Sequence, residues 1–250
     1  MKHITLFSIV AGAALATAFT LPKEPALGTL TGSVVFADAG KVVFDGEKPE
    51  IKPLEIDKAK SEGCGTVDTQ DQSLIISKEG GIANVVVTVE IAGKEVKAAE
   101  KPVLLDQKTC RFEPHIMIVP VGTTVEFRNS DAVSHNVHTY PQKAEQLNKM
   151  VPVGGAETQK FDKEDRVEIK CDIHPWMNSY LVVANTNFYA VTGADGSFKI
   201  EGLPPGEHKA KIWHEKLGKQ DVTIKVDAEG KVAPVEVKMT LEKKGGGRKR

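Results

Sequence analysis

Val167-Glu-Ile-Lys-Cys-Asp-Ile-His-Pro-Trp-Met-Asn-Ser-Tyr-Leu-Val-Val-Ala184 places two strand-prone runs around a short interruption. Val167 to Lys170 alternates apolar and charged positions, and Tyr180 to Ala184 is rich in β-branched and aromatic residues. Pro175 fixes φ and withholds a backbone donor, so the chain has to bend between the runs. The reading is strand, rigid turn, strand. The same style extends outward in both directions. Strands are expected at Gly32 to Phe36, Ile82 to Ile91, Ile116 to Pro120, Thr124 to Arg128, Gly196 to Ile200, His208 to His214, Asp221 to Val226 and Val235 to Met239. Between them lie turn signals such as Gly80-Gly81, Val121-Gly122, Asp195-Gly196 and Pro204-Pro205-Gly206. Helical candidates are short, at Asp57 to Ser61 and around Lys143 to Met150. Many short strands with so little helix define an all-β chain of sandwich or barrel domains.

The interruption carries the chemistry. Cys171, His174 and Met177 stand three apart, offering a thiolate, an imidazole and a thioether from one turn. His135 lies upstream, after the strand that ends near Arg128. Alone, a Cys-x-x-His or a buried methionine is weak evidence, because both occur often in ordinary cores. Together, two imidazoles, one thiolate and a thioether form the donor set of a mononuclear copper site. Structural zinc more usually takes two or more cysteines, and haem attachment needs a Cys-x-x-Cys-His run, which is missing.

The chain has three cysteines among its 250 residues. Cys64 and Cys110 occupy polar, turn-rich surroundings and are expected to pair, at a gain of roughly 4 kcal/mol on the loop-entropy model. Cys171 is then the thiol left over, and a ligand role accounts for it. Met1-Lys-His3 followed by the apolar run Ile4 to Ala18, with Ala-x-Ala spacing at its end, reads as a signal peptide over residues 1–18. The expected place is therefore outside the cytoplasm, in the periplasm, with no stable membrane insertion. The balance of 33 basic against 34 acidic residues leaves a nearly neutral body and no footprint for nucleic acid. Lys243-Lys-Gly-Gly-Gly-Arg-Lys-Arg250 cannot bury a core, and residues 242–250 are expected to form a disordered basic tail, free or in contact with acidic lipid or an acidic partner.

Phe112-Glu-Pro-His-Ile-Met-Ile-Val-Pro-Val-Gly-Thr-Thr-Val-Glu-Phe-Arg-Asn-Ser-Asp131, then His135-Asn-Val137, then Cys171-x-x-His174-Pro175-x-Met177, resembles a cupredoxin. The loop is most similar to that of amicyanin, and the longer pattern to cupredoxin-like methylamine utilisation proteins. The resemblance covers 101–187 and implies a Greek-key β-sandwich with one copper ion, His135, Cys171 and His174 in plane and Met177 axial. It also implies that Asn136 braces the cysteine loop by hydrogen bonds and that the edge of His174 lies near the surface. Pro175 and Trp176 would then flank it as an apolar docking patch for electron exit. Phe188 to Trp213 resembles a carboxypeptidase regulatory-like β-sandwich, a packing module without catalysis of its own, with its opening strands far upstream at Gly32-Ser-Val-Val35 and Ala83 to Val89. The copper module is therefore expected to be inserted into this second sandwich, formed by 28–100 and 188–241. His115 is expected to be structural, His138 a partly exposed surface residue, and His214 a solvent-facing strand residue.

The function these readings imply is a single-electron carrier, not an enzyme, working between exported redox partners. Two alternatives stay open: copper capture and delivery, with His138 or Met150 assisting transfer, and an interaction module that copper merely stabilises. With seven histidines in all, the chain lacks the further histidine-rich copper sites of oxidases and nitrite reductases. It also lacks a serine or cysteine nucleophile with a base, and a phosphate-binding glycine loop.

Overall fold

Alternating burial along most strands divides the apolar residues between two cores. The computed structural model describes residues 25–37 and 53–241; the expected signal peptide and basic tail lie outside the described residues. In chain order the strands are β1 (Gly28–Phe36), β2 (Val86–Val89), β3 (Val103–Lys108), β4 (Arg111–Glu113), β5 (Ile116–Pro120) and β6 (Thr123–Asn129). Next come β7 (His135–Tyr140), β8 (Asn148–Val151), β9 (Ala156–Phe161), β10 (Asp165–Lys170) and β11 (Asn178–Ala184). The last are β12 (Tyr189–Val191), β13 (Ser197–Leu203), β14 (Gly206–His214), β15 (Gly218–Val226) and β16 (Val235–Met239). The fold is all-β, with no helix among the described residues. No helix there is long and apolar enough to cross a membrane.

One core is enclosed by the sheets β13-β1-β16 and β12-β2-β14-β15, and holds Leu30, Val34, Val87, Val89, Phe198, Ile200, Ile212, Ile224 and Val237. The other is enclosed by β5-β11-β10-β7-β8 and β4-β3-β6-β9, and holds Leu105, Phe112, Val125, Phe127, Val137, Phe161, Val167, Ile169 and Leu181. The chain leaves the first pair of sheets after β2 and rejoins it at β12. Parallel pairing of β1 with β16, β3 with β6 and β5 with β11 requires these long crossings, because a hairpin joins only antiparallel neighbours.

Val85, Val86, Val87 and Val89 are all buried because the strand is covered on both sides. Val87 and Val89 point into the first core, while Val86 meets Ile116 and Val182 from the second pair of sheets, with Ile118, Tyr180, Val191 and Trp213 around them. Tyr180 and Trp213 meet edge to face with ring centroids 5.5 Å apart, and the Arg166 guanidinium lies 5.6 Å from the Trp213 ring centre.

Three expectations need correction. Asp57 to Ser61 makes a single turn, in which the Lys60 and Ser61 amides donate to the Asp57 carbonyl; it does not propagate as helix. Residues 148–151 form strand β8, since pairing with β7 supplies backbone partners that a short isolated helix lacks. His214 does not face solvent. It is fully buried, in phase with Ala210 and Ile212 on the core face of β14. As expected of a structural residue, His115 is buried, and its Nε2 pairs with the Glu215 carboxylate.

Burial of His214, reinforced by the neighbouring His115 and Lys216, pushes its pKa down from 6.5 to about 4. Its Nε2 finds no hydrogen-bond partner among the described residues. The unfolded chain therefore takes up this proton before the folded chain does. The stability contribution is whole above pH 6.5 and is lost as pH falls towards 4, by roughly 3 kcal/mol. Comparing denaturant midpoints from pH 7 to pH 4 for the native chain and His214→Gln should show a shallower decline in the variant; parallel profiles would place the acid sensitivity elsewhere.

Candidate metal centre

His135 opens β7, whose inward positions are His135, Val137 and Thr139, so the ring enters the core from the strand end. Cys171 follows β10 directly, and the turn from Cys171 to Met177 leads into β11. That turn closes on itself: the Cys171 amide donates to the Met177 carbonyl at 3.2 Å, and the Met177 amide to the His174 carbonyl at 2.9 Å. The structure brings His135, Cys171 and His174 together, with one donor atom from each within 4.8 Å of the others, all buried. The two Nδ1 atoms of His135 and His174 are 2.9 Å apart, and Nδ1 of His174 is 3.6 Å from the Cys171 sulfur. Met177 lies in the same core and is 1% exposed.

Asp131 sets the direction of the His135 ring. His135 Nε2–H donates to the Asp131 carboxylate at 2.8 Å, which leaves Nδ1 as the atom with a free lone pair. Burial pushes the His135 pKa down against the opposing pull of Asp131. Burial also lowers that of His174, with His135 adding to the effect. Neutral imidazole is the form that binds a metal, so the burial that disfavours protonation favours a cation between the rings. Two imidazoles and a free thiol facing one another in a dry pocket fit a soft or borderline metal ion such as copper.

Around these donors stands a hydrogen-bonded shell. Asn136 accepts the Asp172 amide through Oδ1 at 2.5 Å, and its Nδ2–H donates to the Asp172 carboxylate at 3.0 Å and to Asn148 Oδ1 at 2.8 Å. The residue after one imidazole is thereby tied to the residue after the thiol. His138 Nδ1 lies 3.0 Å from both Asp172 carboxylate oxygens and 2.9 Å from the Tyr140 hydroxyl. The hydrogen bond from His138 holds the Asp172 carboxyl below its usual range. His138 is partly exposed, with 16% of its side chain accessible.

Cys64 and Cys110 form a disulfide across 46 residues, and Cys171 is a free, buried thiol. The disulfide sits beside the metal centre, a position that residue spacing does not encode. It lies against the outer edge of His174, with the Cys64 sulfur 3.9 Å from Nε2. Leu54, Ile56 and Val67, which by chain position were expected with the first sandwich, pack with Cys64 against the second core. The segment they belong to covers the edge of His174 that was expected at the surface: His174 is 3% exposed and Trp176 is 7% exposed. Trp176 therefore forms no docking patch. Its Nε1–H donates to the Cys110 carbonyl at 3.0 Å and its ring packs on His174 with centroids 5.2 Å apart, while Asp172 and Pro175 are the exposed residues of this turn.

Asp131 and Asp172 escaped the sequence reading as site residues. The available signal was position: Asp131 stands four residues before His135, in an Asn-Ser-Asp turn, and Asp172 adjoins Cys171.

No family model and no curated protein matches this chain. Among solved structures it is similar to a Cu-containing nitrite reductase (NirK) from Thermus scotoductus SA-01, at 26% identity over 39% of this chain and 25% of that one, with a TM-score of 0.33. It is similar also to the Cu(I) state of a mutant amicyanin, at 24% identity over 39% of this chain and 98% of that one, with a TM-score of 0.32. A purple cupredoxin from Nitrosopumilus maritimus is similar at 22% identity over 33% of this chain and 99% of that one, with a TM-score of 0.29. The chain thus spans only a quarter of the nitrite reductase.

Because Trp176 is a packed core residue with a buried donor, Trp176→Ala should cost roughly 3–5 kcal/mol in chemical denaturation. A change under about 0.5 kcal/mol, as for an ordinary surface position, would contradict the burial described.

Proposed function

We propose that this chain carries single electrons on one copper ion held by His135, Cys171, His174 and Met177. The observation that carries the reading is the convergence of the His135 and His174 Nδ1 atoms and the Cys171 sulfur in one buried pocket. Copper would supply the one-electron couple; the residues supply a fixed, dry cage. Asp131 holds one ring, Asn136 and Asp172 clamp the loop that carries the sulfur, and Trp176 wedges the other ring. A cage held so closely would change little between Cu(II) and Cu(I), which would keep the rearrangement on electron exchange small.

On the same reading the nine strands β3 to β11 are a cupredoxin-like module inserted into a carboxypeptidase regulatory-like sandwich made by β1, β2 and β12 to β16. Donor and acceptor are exported redox proteins, met in the periplasm, and the chain catalyses no reaction on a small substrate. Supporting this placement are the signal-like residues 1–18, the disulfide, and a nearly neutral composition.

Addition of Cu(II) to the purified chain should give about one tightly bound copper and an intense visible thiolate-to-copper band, and Cys171→Ser should abolish the band. Copper bound without that band, or a band that survives Cys171→Ser, would reject the assigned centre.

A further inference from the structure

His174 presents its two nitrogens to two different sets of sulfur and nitrogen donors. Nδ1 faces inward, to His135 and Cys171. Nε2 faces outward, 3.9 Å from the Cys64 sulfur. The sulfurs of Cys64 and Cys110 and a nitrogen of His174 lie within 4.8 Å of one another, as do the inner donors. Cys64 is buried, yet Glu62, Gly63, Gly65 and Thr66 around it are exposed, so the sulfur pair lies just beneath the surface. Gly63 and Gly65 both take positive φ, at 87° and 69°, and let the chain fold tightly about the cysteine.

While the disulfide is closed, neither sulfur is a thiolate and this outer set cannot hold a cation. We propose that opening it creates a second metal site, for Cu(I), from Cys64, Cys110 and Nε2 of His174. A thiol reductant delivers two electrons and two protons to the sulfur–sulfur bond and leaves as its own disulfide. Cu(I) then takes the place of the two thiol protons, which pass to solvent, and the neutral His174 ring offers Nε2 by carrying its own proton on Nδ1, 2.9 Å from His135 Nδ1. Two thiolates and an imidazole are a soft, three-donor set, and such ligands select Cu(I). The site draws on neither Cys171 nor Met177, so it stands apart from the electron-carrier reading and shares only His174 with it. Through that shared ring, which offers one lone pair at a time, the redox state of the disulfide decides whether His174 can hold copper at the surface side of the molecule instead of inside it.

The test uses the full chain carrying Cys171→Ala, which removes the inner thiolate. The disulfide is opened anaerobically with a water-soluble phosphine, which takes up the oxygen of one water molecule as phosphine oxide while both cysteines become thiols. Excess phosphine is removed, thiols are counted, and the chain is titrated with Cu(I) against a coloured Cu(I) chelator. The opened variant should retain about one Cu(I) that the closed variant does not. Adding His174→Ala should weaken that binding by at least the roughly 10–100-fold that loss of an outer-shell partner costs. Failure of the opened variant to bind Cu(I) overturns the proposal, as does a disulfide that phosphine cannot open in the folded chain. Equal affinity with and without His174 removes the shared ring and overturns the assignment too. Closed native chain that binds no copper would instead count against the electron-carrier reading alone.

Discussion

The carboxylate of Asp131 is the tie on which the rest of the centre depends. One oxygen accepts from His135 Nε2 and the Cys110 amide, at 2.8 and 2.7 Å, and the other from the Thr109 amide at 2.5 Å. Thr109 and Cys110 both sit at positive φ, 52° and 51°, which for side-chain-bearing residues costs of order 1–3 kcal/mol each. A charged acceptor shared by both amides offsets that cost and holds the turn between β3 and β4 in shape. The same turn places Cys110 for the disulfide and its carbonyl for Trp176. A single side chain thus couples the orientation of one imidazole to the cover over the other.

Burial then does the electrostatic work. His135 and His174 are kept from water by two sheets and by the segment around Cys64, and desolvation lowers both pKa values. Two imidazole nitrogens 2.9 Å apart, with a thiol sulfur 3.6 Å from one of them, offer a cation three donor atoms at one point once the protons between them leave. The enclosure also separates the pocket from solvent on the side where the downstream imidazole was expected to be open, so access to it runs past a disulfide.

The first pair of sheets contributes by covering the outer face of β5 and β11. Val86, Val191 and Trp213 bury Ile116, Ile118 and Val182, and His115 pairs with Glu215 across the same contact. Since β11 is the strand into which the Cys171–Met177 turn leads, packing on its outer face steadies the donors on its inner side.

Strand and turn chemistry, the side chains at 135, 171 and 174 that meet in one buried pocket, and the cysteine pairing could all be read along the chain, because each is encoded by local spacing or by residue type. His214 shows how near the limit lies: its phase with Ala210 and Ile212 already marked it as inward, yet only packing made that face a core. Strands such as β8 and β9 carry weak local signals and exist because neighbouring strands complete their hydrogen bonds. The burial of Trp176, the role of Asp131 and the seat of the disulfide beside His174 were decided by tertiary structure alone. Each depends on segments distant in sequence meeting at one place, and no local pattern records which surfaces will be brought together.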